Sequence, residues 1–167
     1  TGEVMGIAPT FGEAYFKAQL GAGTNVPMSG RVFISVRDND KRLTIMLAQQ
    51  LFDMGYEILS TRGTGKTLER GGVAVTYLNK VKDGGDTVLS RLKQIAFVIN
   101  TPSNKGAKHD EAKIRSACAV SGKPYFTTLS SAAALIGALR QLKKQDYTVR
   151  ALQDILPGRG VWRAAGA

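Results

Sequence analysis

The chain has one cysteine, one histidine and one tryptophan in 167 residues, and aromatic residues make up only 7% of it. A lone thiol, Cys118, cannot form an internal disulfide, so no disulfide framework is available to this fold. Cys118 lies in a helical pattern, where a small buried residue is expected rather than a nucleophile. With so few imidazoles and thiols there is no metal-ligand spacing, and no metal site is expected. The longest apolar runs, such as Ala132 to Leu139, fall far short of a membrane span. No basic stretch leading into an apolar one opens the chain, so no secretory signal is read and a cytoplasmic setting is expected. Acid is also scarce: 13 Asp and Glu stand against 23 Lys and Arg, for a net charge of +10. The cations are scattered, with short clusters at Lys143-Lys144 and Arg159 to Arg163 and few aromatics between them. That pattern argues only weakly for nucleic acid and better for anionic small molecules or an acidic partner subunit, so no nucleic-acid partner is expected.

What is present is ordinary for a globular domain: 43% hydrophobic residues, 22% charged residues, and length enough to bury about two-thirds of the unfolded surface. The opening TGEVMGIAPT reads as the end of a preceding unit. FGEAYFKAQLGAG then forms a short helix with Phe11, Ala14, Tyr15 and Ala18 on one face, stopped by Gly21 and Gly23. TNVPMSG reads as a linker. This divides the chain into residues 1–29 (preceding end and linker helix), 30–157 (one domain) and 158–167 (a tail containing Trp162).

From Arg31 the pattern alternates. Strands are predicted at 31–36, 56–60, 73–78, 95–99 and 124–127. Between and after them come helices at 40–54, 64–70, 87–93, 108–121 and 130–144, and one more short helix at 149–156. In the first of these helices Leu43, Met46, Leu47, Leu51 and Phe52 share one face. Strands alternating with helices at this spacing imply right-handed βαβ units. The predicted fold is α/β: a doubly wound, five-stranded parallel sheet of Rossmann-like type with helices on both faces.

The stretch YEILSTRGTGKTLE has the outline of a triphosphate loop, with a strand, a glycine-rich turn ending Gly65-Lys66-Thr67, and a helix. That motif needs a glycine five residues before Gly65, and Ser60 stands there instead. No strand ends in the acidic residue that would hold magnesium. A smaller phosphate site remains, because in a parallel sheet the loops after the strands form the ligand crevice. Each of those loops carries hydroxyls, amides or cations. They hold Ser35, Arg37 and Lys41; Thr61, Gly63 and Thr64; Asn79-Lys80; Asn100-Thr101; and Thr127-Thr128. Thr61 to Thr64 sit at a helix N-terminus, whose free N–H groups suit an anion. Any one of these residues could be a helix cap, but all five loops on one rim describe a phosphate pocket. Candidates for acid–base chemistry are few: Asp83 and Asp86 in KDGGDT, and His109-Asp110 in AKHDEAK. Asp86 and His109 both lie close to a helix start, where a cap or a surface residue is the ordinary role.

TGEVMG, TFGEAYFKAQLGAG, ISVRDNDK, STRGTG, YLNKV, FVINTPS and YFTTL, in that order and spacing, carry a resemblance. The chain resembles the C-terminal allosteric domain, with the methylglyoxal-synthase-like fold, of the large subunit of bacterial glutamine-dependent carbamoyl phosphate synthetase. The match runs through nearly the whole chain, and TGEVMG resembles the end of the second ATP-using half. The resemblance implies a parent enzyme that makes carbamoyl phosphate from bicarbonate, glutamine-derived ammonia and two ATP, for pyrimidine and arginine synthesis. ATP and its Mg or Mn would act in the preceding synthetase domains, and ammonia would come from a glutamine amidotransferase small subunit. This domain would carry no cofactor and no catalytic residue. It would bind a nucleotide monophosphate, UMP as inhibitor and IMP as activator, and its region could serve oligomerisation. By the same resemblance Ser35 and Lys41 lie near the nucleotide, and Thr61, Thr64 and Lys80 hold the phosphate. Asn100 and Thr101 would meet phosphate and ribose, and Thr127 would match a threonine associated with ornithine activation at the domain boundary.

The chain departs from the family at Pro102, where well-known bacterial relatives have another threonine; a hydroxyl and a backbone N–H are lost there. Arg62 could restore a cation if it faces inward. Lys80 argues against the urea-cycle type, which lacks a lysine at that position. A second resemblance, to a stand-alone methylglyoxal synthase acting on dihydroxyacetone phosphate, rests on Gly84-Gly85-Asp86 and His109. Against it, Asn100 stands where that enzyme has an acidic residue, and an amide cannot take a proton from a carbon acid.

Overall fold

The structure, a computed structural model, describes residues 2–102, 108–144 and 146–155, without the side chains of 108 and 109. Its strands are short runs of β-branched and aromatic residues. They are β1 (Gly30–Ser35), β2 (Tyr56–Thr61), β3 (Val75–Leu78), β4 (Ile95–Asn100) and β5 (Tyr125–Phe126). They pair in parallel in the order β3-β2-β1-β4-β5. Every residue of β4 is buried, as a strand covered on both faces requires.

The two-residue alternation of the strands sends side chains to two separate cores. Val32, Ile34, Ile58, Phe97 and Ile99 face one side. There they meet Leu47, Ala48 and Leu51 of α2 (Lys41–Asp53), Leu68 of α3 (Arg62–Arg70), and Leu135, Ile136 and Leu139 of α6 (Leu129–Leu142). Phe33, Leu59, Leu78 and Val98 face the other side, against Val88 of α4 (Val88–Arg91) and Ile114 and Cys118 of α5 (Lys108–Val120). The sheet is therefore doubly wound, with helices on both faces. Burial of such side chains contributes about 1.5–3 kcal/mol each. Cys118 belongs to the second core, and burial pushes its thiol up to about 11, which keeps it protonated and inert.

Several boundaries move. The 3-10 turn Asp38–Asp40 precedes α2, and α3 begins at Arg62 rather than Thr64. β3 starts at Val75 rather than Val73, and α4 is a single turn continued by a 3-10 turn at Leu92–Gln94. The last short helix is α7 (Leu152–Ile155). The Arg159 to Arg163 cluster, Trp162 and the rest of 158–167 lie outside the described residues.

The expected inner face of α2 needs correcting. Leu43 and Met46 are each 59% exposed, and Phe52 is also exposed. The buried stripe is Thr44, Leu47, Ala48 and Leu51, one face at 3.6-residue spacing. Thr44 can enter it because its hydroxyl donates to Asp40 O at 2.8 Å, so no polar group is orphaned.

A similar correction applies to α1 (Phe11–Gly21): Phe11 is exposed, while Phe16 packs on Ala138 and Leu142 of α6. The stretch expected as a linker is docked, with Val26 in the first core and Tyr56 Oη donating to Pro27 O at 2.8 Å. Lys143, half of a basic cluster in the sequence, donates to Met54 O at 2.8 Å and sits over the Tyr56 ring.

Candidate functional site

The strand order reverses between β1 and β4, and in open α/β sheets the ligand crevice lies beyond the carboxyl ends at that point. A cavity of about 280 Å³ opens there. Ser35, Lys41, Thr61, Thr64, Lys80, Asn100 and Thr101 all line it. Thr127 does not; it is exposed beyond β5, and the adjacent Thr128 caps α6 by accepting from Ser131 N at 3.2 Å. Arg62 is exposed and does not line the cavity either.

The hydroxyls on this rim are largely committed to the protein itself. Thr64 is 2% exposed; its Oγ1 accepts from Val36 N at 3.1 Å and lies 3.3 Å from Val36 O. Thr101 Oγ1 accepts from Arg37 N at 3.0 Å, and Thr101 N donates to Ser35 O at 3.2 Å. Ser35 Oγ and Thr61 Oγ1 share a hydrogen bond at 3.1 Å. Together these bonds hold the 35–37 turn between β2–α3 and the end of β4. Ser60, at the position where a triphosphate loop would need its first glycine, is a fully buried strand residue whose hydroxyl donates to Ile34 O at 2.6 Å.

Because the Thr61 hydroxyl goes to Ser35, it makes no capping bond to α3, although Thr61 holds the extended N-cap position. The first-turn N–H groups of α3 are therefore left uncapped by that side chain, beside the cavity at Gly63 and Thr64. A close helix–strand approach holds α3 there: a methyl group at Gly65 would come within 2.7 Å of the Tyr77 ring on β3.

The cations line the same cavity, and Lys41 Nζ stands close to the start of α3, 3.6 Å from where a methyl group at Gly63 would sit. Lys41 Nζ pairs with Asp38 at 2.7 Å, and Arg37 Nε with Asp40 at 2.9 Å. Lys80 is exposed at the mouth; its carbonyl accepts from Asp83 N at 3.0 Å, while its ammonium makes no bond with any described group. It is placed by the 79–86 turn. Asn79 N donates to Asp86 O at 2.8 Å, Asn79 Nδ2 donates to Gly84 O at 3.1 Å, and Gly84 and Gly85 adopt φ of +69° and +72°. Asp86 serves that turn: Arg91 grips its carboxylate through two bonds of 2.7 and 2.9 Å and holds it below the usual carboxylate range. Asp86 does not line the cavity.

Asp110, a candidate for acid–base chemistry in the sequence, does line the pocket and accepts from Lys82 N at 3.1 Å. The carboxylates Asp38 and Glu111 line it too and were not read from the sequence. The signal for Glu111 was available, since α5 follows β4 and must present its first turn to the same crevice. Tyr125 on β5 was also missed; it does not line the pocket, but its hydroxyl accepts from Asn100 Nδ2 at 3.0 Å from behind the wall. The side chain of His109 lies outside the described residues. Among those described, no group of three His, Cys, Asp or Glu could hold a metal ion, and no helix is long and apolar enough to cross a membrane.

Comparison with known proteins places the chain in a family. Residues 44–127 match the MGS-like domain family. The carbamoyl phosphate synthase large chain of Rhodopirellula baltica is 41% identical over 155 residues, covering 92% of this chain and 14% of that protein. The C-terminal section of the corresponding large chain of Aquifex aeolicus is 41% identical over 162 residues, covering 93% of this chain and 30% of that one. The chain thus spans a small part of the curated relatives it matches. Methylglyoxal synthase from Elizabethkingia anophelis shares the fold, with a TM-score of 0.53 at 22% identity, over 68% of this chain and 80% of that one. The chain belongs to the MGS-like domain family, in the form found in carbamoyl phosphate synthase large chains.

Proposed function

We propose that this domain is the allosteric sensor of a carbamoyl phosphate synthetase and binds nucleoside monophosphates, UMP as inhibitor and IMP as activator, through their phosphate. The observation that carries the reading is the convergence of Lys41, Lys80 and the uncapped start of α3 on one cavity at the sheet's switch point. At about 280 Å³ the cavity is near the low end of small-molecule pockets, which run from roughly 300 Å³ upward. The phosphate would take Lys80 and the Lys41 ammonium, with the α3 N–H groups beneath it. Charge-assisted bonds of this kind contribute about 1.5–3 kcal/mol each. Asn100 and Thr101 would meet the phosphate–ribose junction, and Thr127, outside the cavity, would serve only at a domain boundary.

The parent enzyme would make carbamoyl phosphate from bicarbonate, glutamine-derived ammonia and two ATP. Its ATP, its Mg or Mn and its amidotransferase subunit would all act outside this domain. An effector regulates only through a difference in affinity between two states, commonly about 1–3 kcal/mol.

No observation favours the methylglyoxal synthase alternative. The carboxylate it would use as base, Asp86, is held ionised by Arg91 in a structural turn. A titration calorimetry experiment with UMP and IMP in phosphate-free buffer tests the sensor reading. Saturable binding that weakens about tenfold or more in Lys80→Ala, with unchanged melting, is the expected result. An affinity unaffected by that substitution would remove Lys80 from the site.

A further inference from the structure

β4 is apolar and buried from Ile95 to Ile99, yet it ends in a buried amide, Asn100, which is 4% exposed. On neighbouring β5 the hydroxyl of Tyr125 meets that amide, accepting from Nδ2 at 3.0 Å. The Tyr125 ring packs on the second core with Val98 and Cys118, and burial raises its phenol. A buried amide or hydroxyl left unbonded costs about 1–3 kcal/mol, so neither group tolerates loss of the other. Two apolar side chains would join β4 to β5 at least as well. Joining the two strands therefore does not by itself require a polar pair. The pair lies at the cavity, which Asn100 lines and Tyr125 does not.

We propose that Tyr125 is a positioning residue for the anion site, setting which end of the Asn100 amide a bound anion meets. The inference rests on the phosphate reading of the cavity. A phenol can accept and donate, whereas an amide has a donor end and an acceptor end. In the structure Tyr125 accepts from Nδ2. When an anion binds, the amide turns over. Its Oδ1 then accepts from the Tyr125 hydroxyl, and its amino group donates to the anion. Tyr125 can bond whichever end of the amide faces it, so the turn costs no hydrogen bond between the two residues. Phenylalanine at the same place could do neither.

The test uses the chain itself, Tyr125→Phe, Asn100→Ala and the double variant. Each is titrated calorimetrically with inorganic phosphate and with UMP, and the Asn100 side-chain amide is followed by nitrogen-15 NMR. Tyr125→Phe should bind both probes about fivefold more weakly, the worth of one net hydrogen bond, and should cost nothing further in the Asn100→Ala background. The Asn100 amide signals should move on adding phosphate to the unaltered chain and move much less in Tyr125→Phe. Equal affinity in Tyr125→Phe, or the same loss with and without Asn100, overturns the positioning role while leaving the anion site standing. So do Asn100 signals that phosphate leaves unmoved in the unaltered chain, a readout that holds even if a variant fails to fold. If neither probe binds the unaltered chain, the phosphate reading fails and the positioning role falls with it.

Discussion

The cavity has two kinds of wall, side by side and opposite in chemistry. One is built of Ser35, Thr61, Thr64 and Thr101, whose hydroxyls are bonded to each other or to the backbone of residues 36–37. The other carries Lys41 and Lys80, one held only by an exposed aspartate and the other by nothing described. A polar side chain whose partners are inside the protein shapes a site, whereas one without such partners is free to bind. Residue type alone does not tell them apart, and by type the threonines rank with the lysines as phosphate ligands.

Substitutions that separate stability from affinity put this contrast at risk. The largest effect is expected from Thr64→Val, which keeps the shape but leaves Val36 N without its acceptor. It should lower unfolding free energy by about 1–3 kcal/mol in urea denaturation. Lys80→Ala should do the reverse, leaving stability within about 0.5 kcal/mol and reducing nucleotide affinity. If Thr64→Val proved neutral to stability and severe for binding, the first wall would have to be counted as ligand.

A smaller effect is expected on the second wall itself. Asp38 sits 2.7 Å from Lys41 Nζ and is 92% exposed along its side chain, so it acts as a resident counter-ion that an incoming phosphate must displace or repel. Exposed ion pairs contribute up to about 1 kcal/mol, so Asp38→Asn should tighten phosphate binding only about twofold. Weaker binding in calorimetry would mean that Asp38 orients Lys41 rather than competing for it.

The fold was legible because its signals are local. Runs such as IAFVI and RVFISV read as buried strands, and their alternation with helices dictates a parallel sheet whose carboxyl-end loops share one crevice. That logic brought ten rim residues onto one cavity, Arg37, Gly63 and Asn79 among them. What it did not yield depends on partners far away in sequence. The commitment of Thr64 to Val36, 28 residues away, and the meeting of Asn100 with Tyr125, 25 residues away, appear only once strands are paired. Thr127 was grouped with the rim because every strand-end loop was treated alike, but β5 is two residues long at the sheet edge and its loop ends outside the cavity. The α2 face was misassigned for a different reason. Counting apolar types overlooks a threonine that bonds its own helix and is buried in place of Leu43.

The distinction between partnered and unpartnered groups also covers charge, as Glu13 on α1 shows. This carboxylate is 9% exposed and accepts from Thr148 N at 3.0 Å and Thr148 Oγ1 at 3.2 Å, while Lys17 Nζ lies 3.0 Å away. Lys17 also donates to Ile7 O, and the Phe16 and Tyr147 rings sit 5.6 Å apart. Glu13 thus ties three segments together: the 2–10 stretch, α1, and the 146–148 stretch beyond α6. The Thr148 backbone bond, followed by Lys17, holds its carboxyl below the ordinary value of 4.5. A carboxylate with a depressed folded pKa adds stability that is full above that ordinary value and is lost as pH falls through the lowered one. The melting temperature of the unaltered chain should therefore fall more steeply between about pH 5.5 and about pH 3 than that of Glu13→Gln, which cannot titrate there. The two melting curves should converge at the acid end, and protection of residues 146–148 from amide exchange should fade over the same interval. Parallel pH profiles for the two proteins would show that Glu13 is only a surface charge near the Thr148 segment. A charged residue would then have been wrongly placed with the threonines.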